Sequence, residues 1–347
     1  MNLTQIIKND IPLIDVRAPI EYLKGSFPSS INLPILNNDE RSQVGITYKK
    51  EGQNSAIQQG YHLVKDEKIK RIQSWEKFIN ENPNTNLYCM RGGLRSEIAK
   101  SWLNEIGINI PIINGGYKAL RNASIEIIND VENDNKEWII LGGRTGSGKT
   151  EILKRLTSAI DLEGIAHHRG SAFGGFSNEQ PTVINFENKL ASTYIKHQGN
   201  VLFLEDESRR IGKLPIPEIW HKKMQLSKMV IIDLPIEERI KNIHYEYILK
   251  PQESGINIET LLETFQNSLF NIRKRLGFDQ YSQINIQLQK AFIDYSFKSH
   301  EKWIYNLLTH YYDPMYDYQL KSKLDRCILK SDKTGISQYL KELEKLN

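Results

Sequence analysis

The sequence has few of the features that would place a protein outside the ordinary globular class. Its 347 residues include two cysteines, Cys89 and Cys327, too few for a disulfide framework and suited to a reducing compartment. No apolar run is long enough to cross a bilayer, and the first residues lack the apolar core of a signal peptide. The net charge of +4 permits a nucleic-acid partner without requiring one. We therefore expect a cytoplasmic protein without a membrane partner.

The length and composition indicate a globular chain of more than one domain. Hydrophobic residues make up 39% and charged residues 25% of the chain, and 347 residues suggest two or three domains. A polar, acid-rich stretch at 130–136 predicts a boundary. Short apolar segments alternate with amphipathic ones before and after it, which predicts α/β domains with parallel sheets at 1–134 and 136–240. Residues 37–60 are predicted as loop with a weak helix, and 241–347 as a helical C-terminal region.

A glycine- and arginine-rich loop follows the apolar segment that ends at Cys89. The loop contains Arg91, Gly92, Gly93 and Arg95, and an amphipathic helix follows it. Backbone amides at a helix start and nearby arginines lower the pKa of a thiol and bind anions. The alternative is a buried, inert cysteine. The pattern favours a reactive thiol beside an anion-binding loop.

A second glycine-rich loop connects a predicted strand at 138–141 to a predicted helix. It satisfies the phosphate-loop pattern G-x-x-x-x-G-K-[ST], whose amides surround phosphate oxygens. Lys149 would neutralise the outer phosphate and Thr150 could bind Mg²⁺. The predicted diphosphate-binding residues are Gly143, Thr145, Gly146, Ser147, Gly148, Lys149 and Thr150. Such loops usually bind ATP or GTP, and no motif specifies the base.

Three further features are candidates with weaker signals. Glu205 or Asp206, at the end of an apolar strand, could hold a magnesium-bound water or act as a base, or could only pair with nearby arginines. The segment 167–176, with His168, Arg169 and Ser171, could line the ligand pocket, contact RNA phosphates or be a plain glycine loop, and it lacks the spacing of a zinc site. Residues 298–312 mix basic and aromatic side chains, which suits RNA contact or an ordinary amphipathic helix.

Residues 1 to about 134 resemble a rhodanese domain. The resemblance rests, in order, on Asp15–Arg17, Gly25, the 31–34 segment, the Cys89–Arg95 loop and the closing 114–117 turn. It implies that Cys89 carries transferable sulfur or selenium.

The whole chain resembles the tRNA 2-selenouridine synthase family. The resemblance rests on the order of the two domains and on the segments 168–174, 205–212 and 312–316. It implies replacement of sulfur by selenium in wobble 2-thiouridine of tRNA, with selenophosphate as donor, by way of an S-geranyl intermediate made from geranyl diphosphate. It also implies that Cys89 attacks or carries the selenium while the loop around it holds the phosphate of selenophosphate. A selenophosphate-supplying enzyme is a further candidate partner, and no tightly bound cofactor is expected beyond Mg²⁺.

Two other functions remain open from the sequence. One is an ATP-dependent tRNA sulfurtransferase or kinase that receives sulfur from the thiol domain. The other is a non-catalytic RNA-binding protein that uses the phosphate loop as a switch.

Overall fold

The computed structural model describes residues 2–175 and 179–346, so that Phe176, the last residue of the predicted 167–176 loop, lies outside the described residues. The strands are β1 Leu13–Asp15, β2 Ser30–Asn32, β3 Asn86–Tyr88, β4 Glu137–Gly143, β5 Val201–Glu205, β6 Arg210–Ile211, β7 Leu214–Pro215, β8 Lys228–Ile232 and β9 Cys327–Ser331. The helices are α1 Leu3–Lys8, α2 Pro19–Lys24, α3 Asn38–Glu51, α4 Gln53–Val64, α5 Lys68–Glu81, α6 Leu94–Glu105, α7 Gly116–Asn129, α8 Lys149–Leu153, α9 Leu162–Ile165, α10 Val183–Lys196, α11 Glu218–Leu226, α12 Ile236–His244, α13 Lys250–Glu253, α14 Ile258–Leu276, α15 Phe278–Asp294, α16 Phe297–Leu307, α17 Asp313–Lys321 and α18 Lys333–Leu346. None of these helices combines the length and apolar character that a bilayer crossing needs.

The chain forms two compact units that differ in one segment from the predicted domains. The first contains the residues up to Val131 together with Pro181–His197, and the second contains Glu132–Gln180 and the residues from Gln198 onward. Helix α10, within the range predicted for the second domain, therefore belongs to the first unit. It is held there by polar contacts: the buried Asn188 donates to the carbonyl of Ser26 at 2.8 Å and accepts from Arg121 at 2.9 Å.

The first unit is built on a parallel sheet in which β1 lies between β2 and β3. Ile14, at the centre of β1, is opposite Ile31 and Leu87. The segment 110–115 contributes a bridge from Ile112 to Leu87 before helix α7 begins. Because the three strands are parallel, the end of β3 and the following Cys89 lie at the edge of the sheet where all three strands end.

The prediction of a loop with a weak helix at 37–60 is wrong, because this segment forms the helices α3 and α4. Asn37 caps α3 by accepting from the amide of Glu40 at 2.9 Å, while the Glu40 carboxylate accepts from the amide of Asn37 at 2.7 Å. This reciprocal capping supports a helix whose side chains have no apolar periodicity. Gly52, with φ of +88°, allows the chain to turn between the two helices.

The second unit is built on a parallel sheet in the order β5-β4-β8-β9. The strand β9 comes from the region predicted as helical, and it pairs with β8 from Met229 to Ile232. Its exposure alternates along the strand, so it lacks the continuous apolar run of a central strand. The C-terminal region is thus part of the second unit's sheet as well as its helical layer.

The helical layer of the second unit encloses a core rich in aromatic residues. Phe265, Trp303 and Tyr312 are buried in one cluster, and the Trp303 indole donates to His300 Nδ1 at 3.1 Å. Lys298 and Lys302 on the same stretch are exposed. The mixture of aromatic and basic residues at 298–312 is therefore that of an amphipathic helix whose aromatic side faces the core.

Candidate functional site

The first candidate site is the loop between β3 and α6. Cys89 directly follows β3 and is only 4% exposed, with its Sγ 3.8 Å from the carbonyl of Gly93. Gly92 has φ of +67°, and a Cβ there would lie 2.4 Å from the carbonyl oxygen of Ile113. Only glycine therefore allows the loop to pass so close to the 113–116 turn.

The surroundings of Cys89 favour its thiolate. Burial raises the pKa of the Cys89 thiol, but the Ser96 hydroxyl, the amides of Arg91 and Ser96 and the charge of Arg95 together outweigh it and lower the pKa below the ordinary value. The Ser96 hydroxyl is buried and has no hydrogen-bond partner among the described residues, and it is close enough to lower the pKa of the Cys89 thiol. These contacts favour the thiolate form of Cys89.

The two arginines of this loop have different surroundings. Arg95 donates to the buried carboxylate of Glu21 at 2.7 Å, and Arg41 lies 3.0 Å from the same carboxylate. Arg91 is exposed at the surface of the loop. A ligand phosphate would therefore meet the free charge of Arg91 and the loop amides, while the charge of Arg95 is shared with Glu21.

A buried arginine from the Asp15–Arg17 segment fixes the adjacent strand ends. Arg17 is 1% exposed, pairs with Asp15 at 2.6 Å and donates to the carbonyl of Gly25 at 2.7 Å. Its guanidinium carbon lies 3.8 Å from the ring centre of Tyr117 and 5.8 Å from that of Tyr88. The ends of β1 and β3 and the start of α7 are thereby joined around one charge.

The second candidate site is the phosphate loop between β4 and α8. Gly146 and Gly148 have φ of +85° and +80°, conformations that favour glycine. Lys149 Nζ donates to the carbonyl of Gly143 at 3.0 Å, so the lysine reaches back across the loop. The Ser147 hydroxyl is buried without a partner. The predicted strand, loop and helix are thus present in this order, with the lysine at the concave side of the loop.

Side chains from distant segments hold the phosphate loop in shape. The buried Arg239 donates to the carbonyl of Thr145 at 3.2 Å and pairs with Asp313 at 2.6 Å. Asn242 donates to the carbonyl of Gly146 at 2.8 Å. Sequence reasoning missed Arg239 and Asn242 because neither is near the loop in the chain, although Asp313 lies in the segment 312–316 that carries the family resemblance.

A cluster of carboxylates lies beside the phosphate loop. Oxygens of Glu163, Glu205 and Glu207 lie within 4.8 Å of one another, and Thr150 donates to Glu163 at 3.2 Å. Both oxygens of the fully buried Glu205 have no hydrogen-bond partner. This is the group of side chains that could hold a divalent cation.

The structure distinguishes between the two acids that the sequence proposed. Asp206 pairs with Lys323 at 2.7 Å and takes no part in the carboxylate cluster, whereas Glu205 and Glu207 are both members. Side chains alternate at a strand end, so residues two apart lie on one side. Glu163 was missed because it comes from the separate helix α9.

Two carboxylates of the cluster have raised pKa values. Burial, followed by the charge of Glu163, raises the pKa of Glu205 and that of Glu207 well above the ordinary value. Neither carboxylate has enough hydrogen-bond donors around it to offset this effect of burial. A bound cation would favour the charged forms that burial disfavours.

The loop at 167–175 passes next to this cluster. A Cβ at Gly170 would lie 2.7 Å from a Glu207 carboxylate oxygen, so the backbone is in close contact with it. The Ser171 hydroxyl lies 3.0 Å from that of Tyr247, and the Arg169 guanidinium carbon lies 4.7 Å from the Tyr247 ring centre. Burial lowers the pKa of His168. The described part of this loop thus borders the phosphate-binding region.

The fold and the two sites define a class of protein in which a rhodanese-like thiol domain is joined to a phosphate-loop domain. The profile of the rhodanese-like domain matches residues 3–123, and that of the tRNA 2-selenouridine synthase AAA domain matches residues 136–346. The tRNA 2-selenouridine synthase of Shewanella halifaxensis is 41% identical over 97% of this chain and 96% of its own. That of Marinobacter nauticus is 42% identical over 95% of this chain and 94% of its own.

This chain belongs to the tRNA 2-selenouridine synthase family. It is also similar to a solved N-terminal domain of an ATP/GTP binding protein from Clostridium difficile 630, with 34% identity over 33% of this chain and 88% of that one, at a TM-score of 0.31.

Replacing Ser96 by alanine should raise the pKa of Cys89 by roughly one unit, because the thiolate loses a hydrogen-bond donor. The ultraviolet absorbance of the thiolate, followed against pH in a Cys327→Ser background, measures this without requiring a reagent to reach the sulfur. Ser124→Ala, at another fully buried serine of the same unit, should leave the midpoint unchanged. An unchanged midpoint in Ser96→Ala would contradict the role of Ser96.

Replacing Asp313 by asparagine should destabilise the second unit by about 3–5 kcal/mol, because it leaves the charge of Arg239 buried without a carboxylate. Asp317→Asn is the matched control, since its pair with Arg144 is 46% and 36% exposed and should contribute about 1 kcal/mol or less. Urea denaturation of both variants measures the difference. Equal effects would show that the Arg239 pair does not support the phosphate loop.

Proposed function

We propose that this protein replaces sulfur by selenium in wobble 2-thiouridine of tRNA, first prenylating the sulfur from geranyl diphosphate and then displacing it with selenium from selenophosphate. The observation that carries the proposal is the presence, in one chain of this family, of an activated Cys89 and a complete phosphate loop. Prenylation makes the sulfur a thioether, which leaves as a thiol more readily than a thiocarbonyl does. The two sites correspond to the two steps.

The phosphate loop supports the prenylation step. The sulfur of 2-thiouridine would attack the first carbon of the geranyl group, and the diphosphate would leave with the electrons of the broken carbon–oxygen bond. Lys149 and the loop amides would stabilise the charge of the departing diphosphate.

The carboxylate cluster fits a divalent cation. The unpartnered oxygens of the buried Glu205, the neighbouring Glu163 and Glu207 and the Thr150 hydroxyl supply the oxygen donors that Mg²⁺ takes. When bound, Mg²⁺ would neutralise charge on the diphosphate. This chain's own contribution is to provide these donors next to Lys149.

The thiol loop supports the selenation step. Cys89 would attack C2 of the S-geranyl base, forming a carbon–sulfur bond as geranyl thiolate leaves and takes a proton. Selenium of selenophosphate would then displace the Cys89 thiolate from C2, and water would cleave the selenium–phosphorus bond to release phosphate. This order needs no oxidant or reductant, whereas a selenosulfide on Cys89 would need a reductant to release its selenium. Arg91 and the amides of Gly92 and Gly93 would hold the phosphate group, and Arg95 would favour the thiolate.

Two variants should separate the steps. Lys149→Ala should abolish the formation of S-geranyl-2-thiouridine but still selenate a synthetic RNA that already carries it, whereas Cys89→Ser should do the reverse. Mass spectrometry of the reacted nucleosides measures both products. Normal geranylation by Lys149→Ala would exclude the phosphate loop as the diphosphate site, and loss of both products in Cys89→Ser would contradict the division of steps.

Mg²⁺ binding should appear in the pH dependence of stability. The raised pKa of Glu205 means that the folded state holds its proton more tightly than the unfolded state does. In the presence of a chelator, the free energy of unfolding should therefore fall as the pH rises through the folded-state pKa of Glu205. Adding Mg²⁺ should reverse this loss. Glu205→Gln should weaken both the fall and the rescue, as thermal unfolding with and without Mg²⁺ measures. Equal rescue of Glu205→Gln would place the cation elsewhere.

The phosphate loop also supports a second candidate, an ATP-dependent tRNA sulfurtransferase or kinase, because the same loop and acids serve nucleotide hydrolysis. ATP turnover stimulated by tRNA, together with no product from geranyl diphosphate, would favour it.

A further inference from the structure

The first unit contains a large apolar cavity beside the thiol loop. It has a volume of about 290 Å³ and is enclosed by α3, α4 and the first turns of α6. Its wall includes Val44, Ile57, Tyr61, Leu94 and Trp102. All of these belong to the first unit, so the cavity is complete within it.

The cavity and the thiol share one part of the core. Trp102 and Val64 line the cavity and also belong to the buried hydrophobic cluster that contains Cys89. Arg95, whose charge favours the Cys89 thiolate, is another lining residue. A group bound in the cavity is therefore close to the helix start that activates the sulfur.

The chemistry of the wall selects an apolar occupant. Apolar side chains dominate the wall, and the guanidinium of Arg95 is already paired with Glu21 at 2.7 Å. Tyr48, Tyr61 and Leu94 are 57%, 48% and 40% exposed, which leaves apolar surface in water that a bound chain would cover. A phosphate would lose its water here without finding an unpaired positive charge among the lining residues.

We propose that this cavity binds the isoprenoid chain of the S-prenylated base during the Cys89 step, an inference that rests on the proposed function. A cavity of about 290 Å³ has room for a chain of ten carbons. The chain stays in the cavity while the carbon–sulfur bond at C2 breaks, and it leaves as the prenyl thiol.

The test compares synthetic anticodon RNAs that carry S-geranyl- or S-methyl-2-thiouridine, with selenophosphate as donor. The full-length protein should convert the geranyl RNA with a KM lower than that of the methyl RNA by at least about tenfold. Val44→Phe, which narrows the cavity, should reduce this preference to about threefold or less. Val183→Phe, the same change at a 40% exposed position of α10 outside the cavity wall, should preserve it.

Three outcomes would overturn the assignment: no geranyl preference in the unmodified protein, equal loss of both substrates in Val44→Phe, or a matching loss of prenylation from geranyl diphosphate in that variant. The last would assign the cavity to the donor. Binding of the two RNAs, measured by fluorescence anisotropy without selenophosphate, separates this inference from the proposed function. Tighter binding of the geranyl RNA without turnover would support the cavity and reject the reaction, while equal binding would reject the cavity.

Discussion

Both candidate sites depend on one constraint, the placement of a glycine-containing loop between the carboxyl end of a parallel strand and the start of a helix. In the first unit this places Cys89 where the amides of Arg91 and Ser96 face its sulfur. In the second it places Lys149 at the start of α8, across the loop from Gly143. Because the chain must turn sharply at each place, glycines occupy left-handed conformations there, and the freed amides become available to anions. The chemistry of each unit is thus a consequence of the same local geometry.

The sequence predicted those parts of the structure that one short, contiguous segment determines. The Cys89 loop and the phosphate loop are contiguous, and each follows an apolar strand whose pattern is unambiguous. The carboxylate cluster combines Glu163 with Glu205 and Glu207 across separate elements, and the support of the phosphate loop comes from Arg239 and Asn242. Such contacts depend on tertiary packing, which no spacing along the chain reveals. Of the three carboxylates, only Glu205 was proposed from the sequence, because it ends an apolar strand.

The helices α3 and α4 show a different limit. The sequence of α3 lacks the apolar periodicity on which helix prediction depends, and this helix is stabilised by the capping pair of Asn37 and Glu40. The signal was present as an asparagine three residues before a glutamate, but without an apolar stripe it is weak. The cavity beside the thiol loop is enclosed by these same helices, so the least predictable part of the first unit is also the part that gives Cys89 an apolar neighbourhood.

Cys89 and Glu205 are the buried acidic groups of the two sites. They show why burial alone does not determine whether a group is charged. Burial raises the pKa of Cys89 and of Glu205 alike, since both lose water around an anion. At Cys89 the Ser96 hydroxyl and two amides replace that water, and the balance turns toward the thiolate. At Glu205 both oxygens lack a donor among the described residues, so the effect of burial prevails. A nucleophile must be charged before its substrate binds, whereas a metal ligand needs its charge only when the metal is present. The opposite shifts therefore match a thiol that acts directly and a carboxylate that acts through a bound ion.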